Sequence, residues 1–201
     1  MFEKRSYERE NFSEWEILLP ELSGRRFVEC SFAAADFSEL GRCVRCTFDR
    51  CDFTMARWNG VEIKDSAFLG CNFKFANFFA TVFDHCKMTG SSFAEAESEL
   101  MTIDGGDWSY TELREIRFDR KQLRRIDFTG ADLTGARFFK CRVENCTFRE
   151  AVTDRLSFCQ SDIRDSTFEE VDLLSLDLSG AVVDLGQCVA LAEAAGAIYR
   201  G

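Results

Sequence analysis

Residues 126–148 read IDFTG ADLTG ARFFK CRVEN CTF, with a large apolar residue at every fifth place: Phe128, Leu133, Phe138, Val143 and Phe148. Two places before each stands an apolar and usually small one: Ile126, Ala131, Ala136, Cys141 and Cys146. A helix repeats near 3.6 residues and a strand at 2, so this period belongs to neither. It asks for a backbone that turns through a fixed angle every pentad. Four pentads close a square coil of about 20 residues, with each large residue at the axis and each small one beside it at a corner. Such a coil buries its apolar places only by stacking on others.

The period extends over most of the chain. From Cys43 to Val183 the axis place recurs without a slip, and only Ser98 and Thr153 in it are polar. Earlier, Phe2, Tyr7, Phe12, Ile17, Leu22, Phe27, Phe32 and Phe37 keep the same spacing. Between Phe37 and Cys43 the interval is six, which predicts one extra residue near Leu40–Arg42, held out of the ladder as a bulge or corner loop. Residues one coil apart fall into four columns, two of them almost pure phenylalanine stacks. At about 4.8 Å per coil, about nine coils make a rod roughly 44 Å long. The expected fold is an all-β quadrilateral β-helix.

Composition agrees with a repeated buried place. The chain has 21 Phe against 3 Tyr and 3 Trp, and Phe has no polar handle to satisfy. Of the 10 Cys, seven (Cys30, Cys46, Cys51, Cys71, Cys86, Cys141 and Cys146) stand at the small-residue place, so they read as packing residues and not as a disulfide set. No apolar run approaches the roughly 18 residues of a membrane span, and no charged start leads into an apolar segment. A cytoplasmic protein without a membrane partner is expected.

Three segments follow. Residues 1–24 keep the axis spacing but not the small-residue rule, and read as a degenerate first coil or N-terminal cap. Residues 25–183 are the β-helix. Residues 184–201 begin with Asp184 as an N-cap, continue through an Ala-rich stretch and meet Gly196 as a natural stop, predicting a short C-terminal α-helix. Its apolar residues (Leu185, Cys188, Val189, Leu191, Ala192, Ala195, Ile198 and Tyr199) are too many for a free helix, so it should cover the last coil and join two molecules. The pattern is weakest over residues 98–125, where Met101, Gly106 and Lys121 occupy small-residue places, and a kink or widened coil is expected there. That segment also holds Arg114, Arg117, Arg120, Lys121, Arg124 and Arg125, a basic belt whose simplest reading is a solvated band with local ion pairs.

The units ADFSE, CDFTM, CNFKF, ANFFA, ADLTG and VDLLS resemble those of pentapeptide repeat proteins over residues 25–183. That resemblance implies a right-handed four-sided β-helix. The terminal DLGQCVALAEAAGAIYRG and the mid-chain IDGGDW resemble the MfpA group, which with the related Qnr proteins binds DNA gyrase and topoisomerase IV, confers fluoroquinolone resistance and imitates duplex DNA. The resemblance implies a homodimer through the C-terminal helix. Qnr proteins carry longer loops on the coil, whereas this array has only the extra residue near 40.

Reactive constellations are poor. Cys43, Cys46 and Cys51 suggest zinc by spacing, but the pentad register puts Cys46 and Cys51 on different sides, and His85 is the only imidazole. A regular coil offers no cleft in which His85 could serve a nucleophile. We therefore expect no enzyme, no cofactor and no metal. The surface is more informative. Residues 1–112 carry 20 acids and 12 bases, residues 113–140 carry 4 and 8, and residues 141–201 carry 11 and 5. The acidic end holds Glu144, Glu150, Asp154, Asp162, Asp165, Glu169, Glu170, Asp172 and Asp177. With a net charge of −10 the chain repels nucleic acid and suits a basic channel. Duplex DNA would carry about 26 charges over the same length, so shape must do much of the imitation. The expected function is a DNA mimic that binds gyrase or topoisomerase IV. The alternative is a protein-interaction scaffold, motivated by Phe75, Phe79 and Phe139, which fall just after the axis place and should be exposed.

Overall fold

The computed structural model describes residues 2–200; Met1 and Gly201, the outer ends of the cap and the tail, lie outside them. The pentads stack in register. Tyr7 pairs in parallel with Phe27, Phe27 with Phe48, and Phe48 continues over Phe68. A second side runs Leu22, Cys43, Ile63, Phe83, Ile103. The other two sides are joined by single parallel bridges, Asn11 to Ser31 to Asp52 to Asn72 on one and Glu16 to Asp36 to Arg57 to Asn77 on the other. This is the right-handed quadrilateral β-helix.

Named strands run from Ser6–Glu8 to Arg142–Glu144, about seven turns and not nine. Above them, single bridges such as Asp162↔Val182 carry the coils on. The regular part is shorter because the last coil has a neighbour on one side only, and its axis residues Leu173 and Leu178 are half-buried. The extra residue sits at a corner. Pairings that cross Gly41 step by 21 residues, as Leu22↔Cys43, and later ones by 20, as Cys43↔Ile63. There the Leu40 N–H closes on the Phe37 carbonyl at 2.8 Å and the Arg42 N–H on the Pro20 carbonyl at 3.2 Å.

Packing explains the period. Stacked Phe rings repeat at the coil spacing: Phe27 and Phe48 lie 5.0 Å apart and 5° from parallel, Phe48 and Phe68 4.6 Å and 12°. Each buried Phe contributes roughly 1.5–3 kcal/mol. Two places after the axis residue the backbone turns through positive φ, even at Arg9, Met55, Phe75 and His85, all between 51° and 58°. The stack imposes that turn on whatever residue stands there.

The small corner residue does more than fit. The Cys71 thiol donates to the Phe48 carbonyl at 3.4 Å, while its N–H donates to Ser91 Oγ at 3.0 Å. Ser91 Oγ in turn donates to the Phe68 carbonyl at 3.0 Å. Cys46 with Ser66, Cys141 with Ser161 and Cys146 with Ser166 repeat the device. Cys and Ser thus satisfy backbone groups that a corner leaves unpaired. Burial pushes the Cys86 thiol up to about 12 and the Cys146 thiol to about 11, so both remain protonated donors at neutral pH.

Over residues 98–125 the solenoid continues, with Thr102–Asp107 paired to Val82–Lys87, but two sides lose their ladder to the next coil, although Thr102–Asp107 still lies against Gln122–Arg124. Glu97 bridges down to Asn77 and has no bridge up to Arg117. Five bonds of the repeating pattern are missing there among the described residues: from the N–H groups of Glu95, Ser98 and Leu100 upwards, and of Arg117 and Gln122 downwards. Ser98 is the cause nearest the axis. It leaves the column of Phe78 and Phe118 without its middle ring, so no ring touches another across this level on that side.

The C-terminal helix Leu185–Ala194 is capped by Asp184, whose carboxylate accepts from the Gln187 N–H while the Gln187 side chain accepts from the Asp184 N–H. Gln187 Nε2 also donates to the carbonyls of Ile163 and Ser166 at 2.8 and 2.9 Å. One side chain thereby seals the helix start and the end of the ladder.

Candidate functional site

The acidic end divides into paired and free carboxylates. Glu144 is held by Arg124 at 2.8 Å and Arg142 at 2.5 Å, Asp162 by Arg164 at 2.7 Å, and Asp154 by Arg155 at 3.4 Å. Arg149 bridges Glu150 and Glu170 at 3.1 and 3.3 Å. Asp177 accepts from Ser157 at 2.7 Å, and Asp172 caps the short 3-10 turn Leu173–Ser175. Among the described residues Asp165, Glu169, Asp172 and Asp177 have no ion-pair partner. The hydroxyl bonds hold Asp177 below the usual carboxylate range, Ser179 foremost and Ser157 next.

The basic belt divides in the same way. Arg114 reaches Asp132 at 2.7 Å, Arg124 reaches Glu144, and Arg125 reaches Asp104 at 3.4 Å. Arg117, Arg120 and Lys121 have no ion-pair partner among the described residues. Arg117 and Lys121 line the opening between the coils, a cleft of about 1170 Å³ that also takes in Glu97, Glu99, Ile116 and Phe79. Sequence reasoning expected a widened coil there but no cleft; Ser98 at an axis place was the signal.

The helix residues fall on two faces. Leu191 lies against the last coil, where Gly186, Gln187 and Ala190 join it over an apolar groove of about 490 Å³ floored by Ile163, Phe168 and Leu178. Leu185, Cys188, Ala192 and Ala195 face away and are exposed, Val189 is half-buried, and Ile198 and Tyr199 stand open at 79% and 59% exposure. Of the outward aromatics, Phe75 and Phe79 are exposed at 47% and 42%. Phe139 is half-buried, contrary to expectation, because Arg137 and Lys140 lie over its ring at 4.9 and 5.0 Å. His85 is exposed and pairs with Asp84. The eight buried Cys are engaged in the core, and the described residues contain no group of three or more metal-ligating side chains. No helix of the described residues is long and apolar enough to cross a membrane.

A family model described as pentapeptide repeats matches residues 109–145 in eight copies. Among solved structures, the chain is similar to a trypsin-treated variant of QnrB1, a plasmid-mediated fluoroquinolone resistance protein, at TM-score 0.84 and 21% identity, covering 97% of each chain. A second trypsin-treated variant matches at 0.84 and 22%, covering 98% of this chain and 97% of the other. Full-length QnrB1 matches at 0.77 and 20%, covering 96% and 100%. No curated protein sequence matches the chain. At such identity the likeness carries the fold, and the surface must speak for the function.

Proposed function

Because the chain is a pentapeptide-repeat β-helix, a rod of fixed width with charge on its skin, we propose that it binds a type II topoisomerase, DNA gyrase or topoisomerase IV, where duplex DNA would lie. On this reading it inhibits the enzyme and protects it from fluoroquinolone-type poisons in the cytoplasm. The observation that carries the reading is the set of unpaired carboxylates Asp165, Glu169, Asp172 and Asp177 at one end of the rod. The overall likeness to a fluoroquinolone resistance protein supports it. Paired acids such as Glu144 already satisfy their charge locally, whereas a free carboxylate can meet a target's Arg or Lys directly. The test is supercoiling by purified gyrase, with and without a fluoroquinolone. Inhibition and reduced drug-dependent cleavage are expected; no effect at micromolar protein would sink the proposal.

The same reading places two copies end to end through the C-terminal helix, which would double the acidic surface. The exposed Leu185, Cys188, Ala192 and Ala195 beside Ile198 and Tyr199 support this joint. Light scattering of a Leu185→Glu, Ile198→Glu variant should give a monomer. Neither side chain takes part in the hydrogen bonds of the Asp184–Gln187 cap, so the coil end should stay sealed. A dimer of unchanged mass would reject the helix as the joint. The second reading, a scaffold for other proteins, draws on Phe75 and Phe79; binding lost in a Phe75→Ser, Phe79→Ser variant but kept without the free carboxylates would favour it.

A further inference from the structure

The opening between the Glu95–Met101 and Arg114–Gln122 segments has the properties of a strand-accepting slot. In the coil below, the matching groups bond upwards, as Phe75 N–H to the Ala94 carbonyl at 3.1 Å and Ala80 N–H to the Glu99 carbonyl at 3.0 Å. At the opening the corresponding groups have no backbone partner among the described residues. The lower lip presents the N–H groups of Glu95, Ser98 and Leu100 and the carbonyl of Ala96, whereas Met101, which carries the next unbonded carbonyl, is buried. The upper lip presents the N–H groups of Arg117 and Gln122. This is the donor and acceptor alternation of an unpaired parallel edge, the feature that extended peptides recognise by adding a strand.

Space and charge narrow the occupant. Six extended residues span about 20 Å, and the cleft of about 1170 Å³ continues past both lips, from Asn77 and Phe79 below to Thr134 and Arg155 above, which leaves room for the side chains of such a segment. The lips have opposite sign. Below stand Glu95, Glu97 and Glu99; above, Glu115 and Asp119 stand among Arg114, Arg117 and Lys121, but Asp119 is held by Arg137 and Arg114 by Asp132, while Arg117 and Lys121 have no ion-pair partner among the described residues. Ile116 at the upper lip and Phe79 one coil below the lower lip line the cleft with apolar surface. We propose that this slot binds an extended segment of a partner protein that carries a basic side chain for the Glu97–Glu99 lip and an acidic one for Arg117 and Lys121. It stands without the topoisomerase reading, since the acidic end of the rod takes no part in it.

A capped hexapeptide alternating valine with lysine and glutamate serves as the probe, titrated into isotopically labelled protein and followed by backbone amide NMR. The N–H signals of Glu95, Ser98, Leu100, Arg117 and Gln122 should move together and saturate, and their hydrogen exchange, fast in the free protein, should slow at least tenfold. A doubly reversed variant, Arg117→Glu with Lys121→Glu, should weaken binding at least tenfold while its circular dichroism is unchanged; Lys121→Arg should bind as the parent does. No saturable shift at millimolar peptide, equal binding by the reversed variant, or slow exchange in the free protein would each overturn the proposal. So would the same shifts on raising protein concentration alone, which would make a second copy the occupant.

Discussion

Gly106 lies over Cys86 so closely that a β-carbon on Gly106 would stand 2.1 Å from the Cys86 carbonyl oxygen. The two residues are register partners in the Val82–Lys87 and Thr102–Asp107 strands, and Gly106 has φ of 109°, a conformation that side chains rarely adopt. Strain and overpacking each contribute roughly 1–3 kcal/mol, so Gly106→Ala should destabilise the protein by about 3 kcal/mol in urea unfolding. Gly24, also at positive φ, has open space where a β-carbon would stand, with no atom within 4 Å, so Gly24→Ala should lose only the conformational part, about 1 kcal/mol. Equal losses would show that the contact with Cys86 has no part in stability.

The Ser161 hydroxyl accepts the Cys141 N–H at 2.8 Å and donates to the Phe138 carbonyl at 2.7 Å, all within the buried corner. Removing it strands one buried donor and one acceptor. Ser161→Ala should therefore cost about 1–3 kcal/mol, despite the small change in volume. Ser161→Cys keeps a donor for the Phe138 carbonyl, as the native corner cysteines do, and should recover part of the loss. The midpoint of denaturant unfolding separates the three proteins.

Several carboxylates are held below their usual range by partners on neighbouring coils or turns. Asp84 is lowered by its bond from Lys64 and then from His85, Asp162 by Arg164, and Asp177 by Ser179 and then Ser157. A depressed folded-state pKa means stability that is complete above the unfolded value, near 3.9 for Asp, and lost as pH falls through the folded value. The melting temperature should stay level from pH 7 to about 5 and decline below about 4. An Asp84→Asn, Asp177→Asn variant should start lower and decline less steeply; an identical acid slope would remove these groups as its source.

The axis residues made the fold legible, because a period of five has one compact solution and Phe128, Phe138 and Phe148 state it without ambiguity. Gly41 was legible too, as the single place where the interval changes. The corner chemistry was only half legible: Cys141 reads as a small packing residue, but its corner's hydrogen bonds with Ser161 run between residues 20 and 23 apart and emerge only when the coils are stacked. The cleft announced itself through Ser98 and Lys121 as irregularity, not as a site. Pairing was legible where the partners stand one or two residues apart, as Arg142 with Glu144 and Arg164 with Asp162, and not where they stand on different coils. Glu144 also meets Arg124 a full coil below, and such stacked partners together with the local ones separate one acidic run into two kinds of carboxylate.

That separation gives the topoisomerase reading its sharpest consequence. Neutralising Asp165, Glu169 and Asp172 (to Asn, Gln and Asn) removes three unpaired charges; neutralising Glu144, Glu150 and Asp162 (to Gln, Gln and Asn) removes three that sit in ion pairs. Both variants change net charge by the same amount, so long-range steering should weaken alike and association with gyrase should slow by a similar factor, more so at low salt. Dissociation depends on contacts made in the complex, where a carboxylate already bridged by Arg has less to offer. The first variant should therefore dissociate roughly tenfold faster, a difference of about 1.4 kcal/mol, and the second should dissociate nearly as the parent does. Surface-bound gyrase and a kinetic binding measurement resolve the two rates. If dissociation changes equally in both variants, the target responds to total charge, and the unpaired carboxylates have no special place in recognition.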